Sequence, residues 1–114
     1  MSGAEYLVQW SSLSRELWRE IGDPRLQRKL ALAAQTLAEE PNLRGNPLYD
    51  DLADYRSLHW GRYRIIYRVD EERQVVHIVS IGLRARGKPK DVYAVTRRLM
   101  HLGILEEPPE QESP

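Results

Sequence analysis

The sequence predicts an α+β domain with helices packed on one face of a largely antiparallel sheet. Three observations predict it. Residues 61–70 alternate, with Tyr63, Ile65, Tyr67 and Val69 on one side and Arg62, Arg64, Ile66 and Arg68 on the other, which is the period of a strand. Two earlier stretches, Leu13/Leu17/Ile21 and Leu26/Leu30/Ala33/Leu37, repeat at helical spacing. The chain has 114 residues and no cysteine, so one core must be built from such layers without disulfide staples.

Each element has a local cause. Residues 5–10 are a short run ending at Ser11-Ser12 and read as a strand; either serine can cap the following helix by accepting a first-turn N–H. Gly22 ends that helix. Asp23 then caps a second one, with Pro24 at the first position, where its missing N–H costs nothing, and Glu39-Glu40-Pro41 stops it. The two form an αα-hairpin whose stripes need a sheet to cover. Residues 41–53 hold Pro41, Gly45 and Pro47 and read as a loop over Leu43, Leu48 and Leu52. Residues 54–60 are a candidate strand with Arg56 and Leu58 on one face and Tyr55, Ser57 and His59 on the other. A tight turn at Gly61 leads into the arginine strand, and Asp70–Arg73 form the next hairpin loop. Residues 74–81 make the last strand of this meander, apolar on both faces as a central strand is. Residues 82–90 are a basic loop, and Asp91 can cap a final helix carrying Val92, Val95 and Leu99. The domain is expected to span residues 1–105. The acidic tail, 106–114, holds nothing to bury and is expected to be disordered.

Charge is balanced overall, at 17 Lys/Arg against 17 Asp/Glu, but not locally. Residues 54–101 carry 11 basic and 5 acidic side chains, a surplus of six in the segment that contains the arginine strand. The face away from the helices is expected to show Arg56, Arg62, Arg64 and Arg68, with Arg84 arriving at the end of the neighbouring strand, while the loop and the final helix add Lys88, Lys90, Arg97 and Arg98. No acidic residue alternates with them, and guanidiniums in a row repel unless an anion lies between them. Two readings compete: a sheet-mounted phosphate-binding face, or a solvated face chosen for solubility.

Several chemistries lack their residues. His59, His77 and His101 are too scattered for a metal pair, so no metal or other cofactor is expected. There is no phosphate loop ending in lysine and Ser/Thr, no nucleophile elbow and no evident carboxylate pair. No run approaches the roughly 20 apolar residues of a membrane span, and a signal-peptide pattern is lacking, so no membrane partner and a cytoplasmic location are expected. Arginine, lysine, tyrosine and one plausible histidine remain. They suit a reaction whose nucleophile is already on the substrate and whose charge builds on phosphate, such as RNA cleavage by its own 2′-hydroxyl.

The run from Gly61 to Asp70 resembles the Gly-x-Tyr-Arg-Ile-Ile-Tyr-x-Val-Asp core of the RelE/ParE toxin superfamily of bacterial type II toxin–antitoxin systems. Leu48, Leu52 and Tyr55-Arg56 before it, and Ile81–Arg84 with Asp91-Val92-Tyr93 after it, match the same pattern in order. The resemblance, which covers about residues 5–100, implies a RelE-like fold and an mRNA interferase that cuts mRNA on the ribosome without metal. It also implies a cognate antitoxin that wraps the toxin in an oligomeric complex. By the same resemblance Arg64, Arg84 and Tyr93 are catalytic: the arginines stabilise the scissile phosphate, and Tyr93 stacks on or orients the nucleotide. Arg56, Arg62, Arg68, Arg86, Lys88 and Lys90 would bind RNA. Two positions depart from the pattern. Leu58 stands where a second basic residue is common, and Arg86–Lys90 lengthens the spacing from Arg84 to Tyr93. The alternative within the superfamily is a ParE-like toxin that inhibits DNA gyrase and has no nuclease site.

Overall fold

A computed structural model describes residues 5–106. In chain order it contains β1 (Leu7–Trp10), α1 (Ser12–Arg19), α2 (Pro24–Gln35), a single-turn α3 (Pro41–Arg44), β2 (Asn46–Pro47), β3 (Arg56–Trp60), β4 (Tyr63–Asp70), β5 (Val75–Leu83) and α4 (Val92–His101). Short 3-10 turns follow α2 at Thr36–Ala38 and precede β3 at Asp50–Leu52. The five strands form one sheet in the order β1-β5-β4-β3-β2. β1 runs parallel to β5, and the other pairs are antiparallel. The α+β class and the meander therefore stand, with the two-residue β2 added at one edge and β5 inside the sheet. No helix among the described residues is long and apolar enough to cross a membrane.

The helical hairpin forms as its caps require. Ser11 accepts the Ser14 N–H at 3.0 Å, and Asp23 accepts the N–H groups of Arg25 and Leu26 at 3.1 and 3.4 Å. Trp18 and Gln27 exchange side-chain-to-backbone hydrogen bonds of 2.9 and 3.0 Å, which lock the two helices together. Their inner stripes, with Leu30, Ala34 and Leu37 fully buried, cover Ile65, Tyr67, Val76, Ile78 and Ile81.

The final helix corrects the expectation that all helices lie on one face. α4 packs on the other side of the sheet, in a second core of Ile66, Val79, Val92, Leu52, Tyr55 and Leu105. The reason is that β4 and β5 carry apolar residues on both faces, and a hairpin on one face leaves Ile66 and Val79 uncovered. α4 is fixed there by Thr96, which is fully buried and donates to the Val92 carbonyl at 2.6 Å while meeting the Ser80 hydroxyl at 2.9 Å. The approach is close enough to need a glycine: a Cβ on Gly82 would lie 3.3 Å from Val92 Cγ2. A register shift makes both cores possible. Ile66 pairs with Ser80 but Tyr67 with Ile78, so Val79 is an extra residue, and Ile78 and Ile81 face the same hairpin although three residues apart.

Candidate functional site

The site is built where β5 ends and α4 begins. Asp91 is the N-cap of α4, accepting the Tyr93 N–H at 3.1 Å on one oxygen. Its other oxygen accepts the Ala85 N–H and the Arg84 guanidinium, both at 2.6 Å. One carboxylate thus ties the strand end, the basic loop and the helix terminus together. Burial pushes the Asp91 carboxyl up, but the Ala85 N–H, the Arg84 guanidinium and the Tyr93 N–H outweigh it and hold it below the usual carboxylate value. Arg84 lies against the Tyr93 ring, its guanidinium carbon 4.6 Å from the centroid. Tyr93 in turn is pinned from below by a 2.8 Å hydrogen bond between its hydroxyl and the buried Ser57 hydroxyl on β3. Arg84 and Tyr93, nine positions apart, are therefore brought into contact despite the long intervening loop.

These residues open onto a cleft of about 670 Å³ between the turn at residues 48–52 and the start of α4. Tyr49, Leu52, Arg84, Lys88, Tyr93 and Arg97 are among its walls. Arg97 forms an ion pair of 3.0 Å with Asp51, which also meets His101 at 3.1 Å. The Arg97 hydrogen bond is the main reason that the Asp51 carboxyl titrates below its ordinary value.

The arginine strand is laid out as its alternation predicts, with Arg64 and Arg68 on the α4 side, but its cations diverge. Arg62 is exposed in the turn, where its carbonyl accepts the Arg84 N–H at 2.8 Å. Arg64 is half-buried and folds back to donate to the carbonyls of Gly61 and Tyr63 at 3.1 and 2.9 Å. Arg68 is held by Glu106, with Nη2 and Nε 2.8 and 3.0 Å from Oε1. The expectation that nothing offsets these guanidiniums is corrected here, because the acid comes from a distant segment. Glu106 also accepts the Tyr55 hydroxyl. Glu106, the first residue of the expected acidic tail, is thus an exposed residue whose side chain is held by two partners, and the rest of that tail, residues 107–114, lies outside the described residues. Lys88 faces the cleft and Arg86 is exposed beside it, whereas Lys90 borders a separate hollow of about 350 Å³ with Leu17, Ile21 and Val95.

Arg56 is the main correction. It pairs with Tyr67 across β3 and β4, and so points to the hairpin side, away from Arg64 and Arg68. There it donates to the Gly45 carbonyl at 2.6 Å, with its Nε buried and unpartnered. Tyr67, fully buried, donates to the Pro41 carbonyl at 2.8 Å and accepts the Gly45 N–H at 3.0 Å. The pair holds the loop around α3 and lies outside the cleft. Residue-level reading of the sequence also missed Ser57 and Tyr49 as parts of the site and saw Asp91 only as a cap. The two-residue turn after Trp60 could have placed Ser57; nothing local marks Tyr49. Among the described residues, no group of three or more His, Cys, Asp or Glu is arranged to hold a metal ion.

Comparison with known proteins places the chain in a family. Residues 8–87 match the family model of the ParE toxin of type II toxin–antitoxin systems. Toxin RelG of Mycobacterium tuberculosis is 31% identical over 80 residues, covering 70% of this chain and 92% of the relative. The mRNA interferase toxin RelE of Escherichia coli is 28% identical over 87 residues, covering 73% of this chain and 87% of that protein. A chain of the RelBE2 toxin–antitoxin complex from M. tuberculosis superposes with a TM-score of 0.68 at 30% identity, covering 75% of this chain and 99% of the other. The matching model spans well over half of the sequence, and the protein belongs to the ParE toxin family of the RelE/ParE superfamily.

Proposed function

We propose that the protein is a ribosome-dependent endoribonuclease that cuts mRNA by using the RNA's own 2′-hydroxyl as nucleophile, without a metal. The observation that carries this reading is Arg84 seated on the Tyr93 ring at the wall of the cleft. A guanidinium fixed before the substrate arrives stabilises the extra negative charge of the pentavalent phosphate without reorganising. Asp91 occupies part of that guanidinium, so the carboxylate orients Arg84 as well as neutralising it. Arg64 is the second candidate for the phosphate, released from the carbonyls of Gly61 and Tyr63 when a stronger acceptor enters. Lys88, Arg86 and Arg62 would steer the RNA strand. The relative named mRNA interferase supports the reaction class. The RelBE2 complex supports a cognate antitoxin that holds the toxin in an oligomeric complex. The place of action is then the cytoplasm, with the ribosome.

A ParE-like action on DNA gyrase is the second reading, favoured by the matching family model, which is that of the ParE toxin. Purified variants assayed on ribosome-bound mRNA separate the two. Arg64→Ala and Arg84→Ala should each slow cleavage by roughly 10²-fold or more, the scale of losing one preorganised donor. Full cleavage by the double variant would remove the nuclease assignment, and replication arrest before translation arrest in pulse-labelled cells would establish the gyrase reading.

A further inference from the structure

We infer that Tyr49 is the nucleobase-stacking wall of the cleft, so that the site takes one unpaired nucleotide with its base on Tyr49 and its phosphate toward Arg84. This rests on the endoribonuclease reading and adds a subsite to it. Two aromatic side chains line the cleft, Tyr49 and Tyr93. A base needs a free ring face on which to stack. Tyr93 is poorly placed for that, since Arg84 covers its ring at 4.6 Å and Ser57 holds its hydroxyl at 2.8 Å. Tyr49 is 74% exposed, an aromatic left in water at the rim of the cleft. Its backbone is nevertheless rigid. Leu48 N–H donates to the Tyr55 carbonyl at 3.0 Å, and Leu52 N–H to the Tyr49 carbonyl at 3.0 Å. Leu52, 1% exposed, anchors the turn in the second core.

The occupant follows from chemistry. The walls supply Arg84, Lys88 and Arg97 beside Asp50 and Asp91, and because Asp91 holds Arg84 and Asp51 holds Arg97, a phosphate would be met by Lys88 and would compete with these carboxylates for the two guanidiniums. The volume of about 670 Å³ is in the range of small-molecule sites, enough for a nucleotide and not for a duplex. The geometry therefore divides the labour between the two tyrosines: Tyr93 positions Arg84, and Tyr49 receives the base.

The test uses the full-length protein and ribosome-bound mRNA carrying 2-aminopurine at one position at a time, with a 2′-O-methyl group at the scissile nucleotide to block cleavage. The parent should quench one position, and Tyr49→Ala should abolish that quench. With cleavable mRNA, Tyr49→Ala should raise KM roughly 5- to 100-fold, the range of one base–aromatic stack, with little change in kcat. Tyr49→Phe should match the parent. An abasic nucleotide at the quenched position should raise the parent's KM equally and add nothing in Tyr49→Ala. If Tyr49→Ala cuts like the parent while Arg84→Ala is slow, the stacking role is overturned and the nuclease reading survives. If it cuts like the parent but loses a co-expressed antitoxin, Tyr49 belongs to a protein interface and the proposal is again overturned. If the parent does not cut RNA at all, both readings fall.

Discussion

Two arginine–tyrosine pairs sit on opposite faces of the same sheet, and they have opposite fates. Arg56 reaches the Gly45 carbonyl beside buried Tyr67, and Arg84 reaches the Asp91 carboxylate above Tyr93. The first pair faces backbone: its partners are the carbonyls of Gly45 and Pro41 and the Gly45 N–H, so it closes a loop on itself. The fit is tight, since a Cβ on Gly45 would lie 2.6 Å from the Tyr67 hydroxyl and 2.8 Å from the Ser57 carbonyl. The second pair faces a cleft and is held by a carboxylate, which orients a guanidinium while leaving it beside open space. An arginine next to a tyrosine is not a signature of chemistry. What separates scaffold from site is whether the donors end on backbone in the interior or beside a cavity.

The largest expected effect breaks or confirms this contrast directly. Arg84→Ala should lose about 10²-fold or more in cleavage per folded molecule. Arg56→Ala should cut within about threefold of the parent, yet lose about 1–3 kcal/mol of stability, because the buried Gly45 carbonyl loses a charged donor. Arg84→Ala also leaves Asp91, 6% exposed in its side chain, without its cation, so some stability is lost there as well. Adding Asp91→Asn to Arg84→Ala should recover stability and leave cleavage low. Urea denaturation and single-turnover cleavage on the same preparations give both numbers. If Arg56→Ala lowers cleavage as far as Arg84→Ala at full folding, the division between the faces is wrong.

How far this contrast was legible depends on the register of the chain. The arginine strand, the helical hairpin and the inner position of β5 follow from alternation, stripe and cap, which are local signals. Arg56 was assigned to the wrong face although the information was present. Gly61 and Arg62 form a two-residue turn that sets Trp60 against Tyr63, and stepping back along both strands sets Arg56 against Tyr67. Directly paired residues share a face. The side taken by α4 was half legible: a stripe of Val92, Val95 and Leu99 says that the helix packs, and the apolar residues on both faces of β5 say that both need cover. The extra residue at Val79, which turns Ile81 back to the hairpin, has no local mark. Nor has Glu106, whose place depends on Arg68 and Tyr55, far away in sequence.

Asp91 sharpens the comparison at an intermediate scale, because the scaffold pair has no counterpart to it. Its folded carboxyl titrates below the ordinary 3.8, so its contribution is complete above that value and is lost as pH falls through the folded value. Asp91→Asn should therefore cost about 1–3 kcal/mol at pH 7, for the cap and the hydrogen bonds together. The difference between parent and variant should shrink below about pH 4. Denaturation midpoints measured between pH 7 and pH 2 follow it. A difference that stays constant over that range would mean that the carboxylate charge does not hold Arg84.

Glu106 gives the smallest effect and the finest distinction, since it couples the site face to the end of the described chain. Burial raises its carboxyl, but Arg68, the Tyr55 hydroxyl and the field of His77 together bring it below the ordinary 4.5. The stabilisation it adds is thus present above that value and lost as pH falls through the folded one. With its side chain and that of Arg68 each about 31–32% exposed, solvent screens the pair, and Glu106→Gln should cost about 1 kcal/mol or less at pH 7. The functional effect runs the other way. Glu106 occupies the Arg68 guanidinium, so removing its charge frees a cation on the face proposed to meet RNA. Glu106→Gln should bind programmed ribosomes a few-fold more tightly at low salt, with the gain fading as the Debye length shortens toward roughly 8 Å at physiological ionic strength. Arg68→Ala should abolish the gain in the double variant. If Glu106→Gln weakens ribosome binding, or tightens it equally without Arg68, the carboxylate is not a competitor for RNA phosphate, and Arg68 belongs with Arg56 to the scaffold.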